Sequence, residues 1–226
     1  MLKRTRQTFI TSDLHFGHPN ICRFCNRPYA MQAPNRNPAN IPLLKQMEED
    51  ILGVFDKLPE NCDIWNLGDV FFFQGKPSDA PIEEYRRIVA RMKGVAKGRR
   101  LFMVKGNHDE LYTSIYRCLG FTEVYDTPVI LEDKWILSHE PVWIEPGSHF
   151  VNLYGHTHDL VIPDDYFCFD QENYAKDVRS GIVPEMKWPE RKIDLNHYVN
   201  MCLDHWHGIP EWKGDTLYVD EQHKIW

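Results

Sequence analysis

The stretch RRLFMVKGNHD, residues 99–109, decides the fold. Its apolar run reads as a buried strand, and it ends in a glycine, an amide, an imidazole and a carboxylate rather than in an ordinary turn. Upstream, PIEEYRRIVARMKG (81–94) reads as an amphipathic helix with Ile82, Tyr85, Ile88 and Val89 on one side and Gly94 at its C-terminal end. Before that, DIWNLGDV (63–70) reads as another buried strand. IPLLKQMEEDILGVFDKL (41–58) places Leu44, Met47, Ile51 and Val54/Phe55 at helical spacing. QTFITSDLH (7–15) reads as a first strand with a polar tip. Strand, helix, strand, helix, strand predicts a parallel sheet with right-handed crossovers. Ligand sites in such sheets form at the carboxyl ends of the strands, where SDLH, LGD and GNHD all lie.

The second half reads differently. EVYDTPVILEDKWILSHEP (123–141) predicts two strands with a turn at residues 132–134, and FVNLYGHTH (150–158) another strand with a polar tip. HYVNMCLDHW (197–206) alternates as a strand would, and DTLYVDE suggests a last one, so a second, mixed or antiparallel sheet is expected. Residues 159–196 carry nine acids and five bases with several aromatics, and are expected to be an insertion or a lid on a single domain spanning 1–226.

The 226 residues carry a formal charge of −7, which disfavours non-specific binding of long nucleic acid. A small phosphorylated substrate held at a local positive site remains compatible with it. No stretch is long and apolar enough to cross a membrane, and the basic start lacks the apolar core of a signal peptide, so a cytoplasmic protein is expected. Cys22 and Cys25 form a lone C-x-x-C, read as two helix-face thiols in preference to a redox or metal pair.

His15, His108, His139, His156 and His158 cluster at strand ends with Asp13, Asp69, Asn107 and Asp109. Asp13 and His15 are two apart, as are His156 and His158, so in an extended backbone each pair would point to one face. Gly68, Gly106 and Gly155 each precede a candidate group. Imidazole, carboxylate and amide donors without thiolate suit Mn, Fe, Ni or Zn. Seven ligands are too many for one tetrahedral ion and about right for two divalent ions sharing a carboxylate. Two such ions bring +4, and Asp13 and Asp69 return −2. The formal +2 that remains attracts phosphate and activates water.

In DLH (13–15), GD (68–69), GNHD (106–109), SHEP (138–141) and GHTH (155–158), in this order, the chain resembles the calcineurin-like metallophosphoesterases. SDLHFGHPNI and CNRPY are similar to a small bacterial and phage branch of that family. The resemblance implies an α/β fold, a four-layer αββα sandwich of two mixed sheets flanked by helices, with a dinuclear site at one edge. It implies that Asp13, His15 and His158 hold one ion, that Asn107, His139 and His156 hold the other, and that Asp69 bridges them. A metal-held hydroxide would attack phosphorus, and His108, oriented by Asp109, would protonate the leaving group as general acid. His18 and Arg27 are candidates for substrate phosphate. A diester or cyclic nucleotide is the preferred substrate, with a phosphomonoester as the alternative. A non-catalytic interaction module on the same scaffold is the rival class. The histidines of DHWH (204–207) are expected to be solvated on an alternating strand, and Trp206 to pack.

Overall fold

A computed structural model describes residues 2–30, 37–73, 79–94, 96–163, 166–167 and 193–226. The first half folds as its periodicities require. Strand β1 (Thr8–Thr11) is followed by the single turn α1 (Ile21–Phe24) and by helix α2 (Asn40–Lys57). Then come β2 (Asp63–Asn66), α3 (Ile82–Lys93), β3 (Arg100–Val104), α4 (Thr113–Leu119) and β4 (Glu123–Tyr125). Met47, Ile51, Val54 and Phe55 are buried on α2, and Tyr85, Ile88 and Val89 on α3, as helical spacing predicts, while Leu44 and Ile82 are half-buried against the same core and Met92 joins it. Arg99, the first residue of the opening stretch, is buried and donates to the carbonyls of Phe55, Leu58 and Met92, which tie up the C-terminal ends of both helices.

Strands β1 to β4 are parallel neighbours. The chain's last two strands, β9 (Glu211–Lys213) and β10 (Thr216–Tyr218), extend this sheet antiparallel beyond β1, giving the order β10-β9-β1-β2-β3-β4. The smaller sheet has the order β5-β6-β7-β8, from β5 (Val129–Leu131), β6 (Trp135–Leu137), β7 (Val151–Tyr154) and β8 (Tyr198–Asn200). It is mixed: β5 and β6 form a hairpin, whereas β6, β7 and β8 are parallel. Three expectations need correction. The strand in DTLYVDE, β10, joins the large sheet and not the small one. Residues 123–131 form two strands rather than one, and the first of them, β4, belongs to the large sheet. Residues 197–206 do not continue as a strand: β8 ends at Asn200, and Leu203–Trp206 is a helical turn, α5.

Alternation along each strand sorts side chains to two faces. Phe9, Ile64, Leu101 and Met103 face α2, α3 and α4, while Ile10, Trp65 and Val104 face Leu131, Trp135, Leu137 and Leu153 of the small sheet. Two mixed sheets are thus packed together and flanked by helices. Among the described residues, no helix is long and apolar enough to cross a membrane. The expectation of a lid at 159–196 falls mostly on residues outside those described.

Candidate metal centre and active site

Every expected ligand lies just past the carboxyl end of a strand: Asp13 and His15 after β1, Asp69 after β2, Asn107 after β3, His139 after β6, and His156 and His158 after β7. The two sheets therefore present their carboxyl ends to one common edge. The pairs are not aimed by extended backbone, as alternation would have it. Asp13, His15, Asp69, His156 and His158 all adopt left-handed φ values, of 58°, 54°, 52°, 70° and 55°. Such conformations cost on the order of 1 kcal/mol or more each and persist where the surroundings enforce them. Here they are enforced by hydrogen bonds between the tips. Asp13 N–H donates to the Gly68 carbonyl at 3.0 Å, His15 N–H to the Asp69 carbonyl at 2.9 Å and His156 N–H to Asp13 Oδ2 at 2.9 Å. Of the three glycines, only Gly68 has positive φ; Gly155 serves close approach, since a Cβ there would lie 2.6 Å from Asp13 Oδ2 and would also strike Ser12.

Two donor groups result. In the first, Asp13 Oδ1 lies 3.7 Å from His15 Nε2 and 3.9 Å from His158 Nε2. In the second, Asn107 Oδ1 is 3.0 Å from both His139 Nε2 and His156 Nδ1, which are 3.2 Å apart. Asp69 Oδ2 sits between the groups, 3.6 Å from His15 Nε2 and 3.4 Å from His139 Nε2. His139 Nδ1 faces the Leu67 carbonyl at 2.8 Å, so a proton stays there and Nε2 is the atom that an ion would take, displacing any proton it carries. The donor set fits divalent cations on an independent ground. Asp13 Oδ1 and His15 Nε2 are buried with no hydrogen-bond partner, a state costing about 1–3 kcal/mol per group that a bound ion relieves.

The site's electrostatics agree. Burial pushes the Asp13 and Asp69 carboxyls up, but His15 beside the first and His139 beside the second outweigh it, and both end below the usual range. Burial likewise lowers His139, yet the Asp69 carboxylate more than compensates and raises it to about 9. His15 is different: burial prevails and holds it below its ordinary value.

The remaining expectations fare unevenly. His108 is part of the site's wall, its side chain 38% exposed, with Nε2 4.0 Å from Asp69 Oδ2 and its backbone N–H bound to Asp69 Oδ1 at 2.9 Å. Asp109 is not its orienting partner. The buried Asp109 carboxylate accepts from Asp69 N–H at 2.7 Å and Gly106 N–H at 2.9 Å, so it clamps the GNHD loop onto the GD loop. Burial, aided by Asp69, raises its pKa to about 7. His18 lines the same cleft, but its ring lies flat on Phe72 at 3.7 Å, and its Nδ1 accepts from Asn20 N–H. Burial first, then the neighbouring His15 and His108, depress it to about 3, which leaves a neutral ring at physiological pH.

Arg27 does not face a substrate phosphate. It is buried, and its donors are taken: Nε and Nη2 bind Asp204 at 2.7 and 3.0 Å, Nη2 also binds the Asp13 carbonyl at 2.7 Å, and Nη1 the Leu14 carbonyl at 3.0 Å. Asp204 is the residue that sequence reasoning missed. Its Oδ2 accepts from His158 Nδ1 at 2.7 Å, which fixes the proton there and turns Nε2 toward Asp13. Its only local signal is an acid closing the apolar run of MCLD. The histidines of DHWH, His205 and His207, are exposed as expected, and Trp206 donates to the Asn200 carbonyl. Cys22 and Cys25 are free thiols, not joined in a disulfide. Cys25, His158 and Asp204 also bring ligand atoms within 4.8 Å, but the last two are engaged with each other.

A fold of two facing mixed sheets with a histidine and carboxylate centre at their shared carboxyl edge defines a metal-dependent hydrolase scaffold. The profile of the calcineurin-like phosphoesterases matches residues 7–220, and the chain belongs to that family of metal-dependent phosphate ester hydrolases. It is 23% identical over 157 residues to the uncharacterised protein MJ1445 of Methanocaldococcus jannaschii, covering 65% of this chain and 71% of that one. Among solved structures, a protein of unknown function from Aquifex aeolicus, AQ665, is similar at a TM-score of 0.44 and 19% identity, over 88% of this chain and 90% of that one. The Pseudomonas putida nuclease MPE is similar at a TM-score of 0.43 and 22% identity, over 68% and 62%.

Proposed function

We propose that the chain is a dinuclear-metal phosphodiesterase. The observation that carries this reading is the pair of donor groups flanking Asp69, with orphaned buried donors in the first and His108 beside them in the wall of an open cleft. Asp13, His15 and His158 would hold one ion and Asn107, His139 and His156 the other, with Asp69 touching both. Mn, Fe, Ni and Zn all suit these donors. When bound, the ions supply Lewis acidity and the activation of water near neutral pH.

The chain's own residues do the rest. Asp13 and Asp69 offset only half of four positive charges. Addition of a nucleophile to a diester monoanion gives a dianionic transition state, which the formal +2 matches. Among the described residues, no Lys or Arg lines the cleft to offset the extra charge of a monoester. Water adds to phosphorus, the P–O ester bond breaks with its electrons on the departing oxygen, and His108 gives that oxygen a proton. The proton lost by water passes to solvent, from which His108 is recharged.

Metal-free protein reloaded separately with Mn, Fe, Ni or Zn should hydrolyse aryl diesters and cyclic nucleotides faster than aryl monoesters, and not without an ion. Faster monoester turnover would replace diester by monoester in this reading. In the loaded enzyme, His108→Asn should lose roughly 10²–10⁴-fold on alkyl esters and less on nitrophenyl esters, whose leaving groups need no proton. The same fractional loss on both would remove His108 from the acid's role.

A further inference from the structure

The cleft that opens from the metal centre, about 960 Å³ in volume, changes character within one side chain of His108. The Phe72 ring lies 5.1 Å from the His108 ring and carries His18 flat against it. Phe24 meets His18 edge-on at 6.1 Å and is 72% exposed. Beyond them the wall is apolar, with Leu160 and Val161 68% and 70% exposed. A soluble protein leaves large apolar side chains this open in a cleft chiefly where a ligand covers them. None of the described cleft residues is a Lys or an Arg, and Asp159 adds a negative charge. Among the described residues, a second phosphate would therefore find no cation away from the metals.

We infer that the substrate carries a single phosphate whose ester oxygen, beside His108, bears a planar aromatic group that lies against Phe24 and Phe72. This rests on the phosphoesterase reading and narrows it to an organic partner. Rings are favoured over an aliphatic chain because the wall nearest the reacting centre is itself built of rings, His18, Phe72 and Phe24, already in stacked or edge-on contact. A further ring continues that arrangement.

The test is calorimetric and needs no turnover. Mn-loaded protein is titrated with inorganic phosphate and with methyl-, phenyl- and octylphosphonate, in the wild type and in Phe24→Ala, whose exposed position leaves the core untouched. Phenylphosphonate should bind roughly tenfold or more tightly than methylphosphonate, and Phe24→Ala should bring that ratio toward one. Equal binding of the phenyl and methyl compounds, or a ratio that Phe24→Ala leaves in place, overturns the aromatic subsite while sparing the phosphoesterase reading. Octylphosphonate binding more tightly than phenylphosphonate makes the wall an acyl-chain surface and overturns it too. Binding of no phosphorus ligand, phosphate included, overturns both.

Discussion

Asp204 holds three positions at once: it accepts from His158, neutralises Arg27, and through Arg27 secures the carbonyls of Asp13 and Leu14. Both members of this ion pair are buried, so removing one leaves a charge uncompensated. Asp204→Asn should therefore lower stability by about 3 kcal/mol in chemical denaturation. It should also weaken uptake of one ion by roughly 10–100-fold in metal titrations, because His158 loses the carboxylate that sets its tautomer. Intact ion affinity in a destabilised variant would make the pair a brace for the fold alone. At this scale the sequence was legible wherever the donors came in dense local motifs: the seven residues expected around the ions do converge. It was opaque where a partner lies 177 positions away, as Asp204 does from Arg27, because no local pattern marks such a pair. Asp109 shows a third case, in which the motif was found but the task misread. Its neighbour His108 shares the loop, yet the carboxylate is drawn to two backbone N–H groups that would otherwise be buried unpaired.

Strand tips do the positioning, and they differ sharply from helices in what they tolerate. Gly68, at φ 101°, would place a Cβ 2.6 Å from both Gly106 N and His139 Nδ1. Gly53, inside α2, would meet nothing within 4 Å. The same substitution should consequently have opposite signs. Gly68→Ala should destabilise by roughly 1–3 kcal/mol or more and impair ion binding. Gly53→Ala should stabilise by roughly 0.5–1 kcal/mol and leave ion binding alone. Paired melts with and without metal would check both. The β1–α2–β2–α3–β3 order was readable because each of those helices buries a stripe of regular period. Three short elements of the second half were not: β8 and α5 together span nine positions, too few for either period to declare itself, and β4 joins the large sheet through partners no alternation can name.

At the scale of the whole molecule, the segment from β8 through α5 to the added strands β9 and β10 is followed by His223, packed edge-on against Phe9 of β1 at 5.2 Å. His223 is buried, and both ring nitrogens lack partners. Burial holds its pKa below the ordinary value, although Asp220 and Glu211 pull the other way. In the unfolded chain it takes up a proton near pH 6.5, so its share of stability is present above that pH and is lost as pH falls below it. His223→Phe keeps the ring contact and removes the titration. Its stability relative to wild type should rise as the pH is lowered from about 8 to about 5.5 in urea titrations. A difference that stays flat across that range would mean that the ring does not resist protonation in the fold.

The bond from Arg27 to Asp204 has a consequence for how the protein is made. Leu203, the neighbour of Asp204, is joined to Ser12 beside Asp13, so two segments far apart in sequence meet at the same ion position. A nascent polypeptide still lacking residue 204 can form β1, β2 and β3 but cannot brace His158. Transition ions would then be captured firmly only once residue 204 has been made and has folded in, which spares the growing chain a half-built centre loaded with reactive metal.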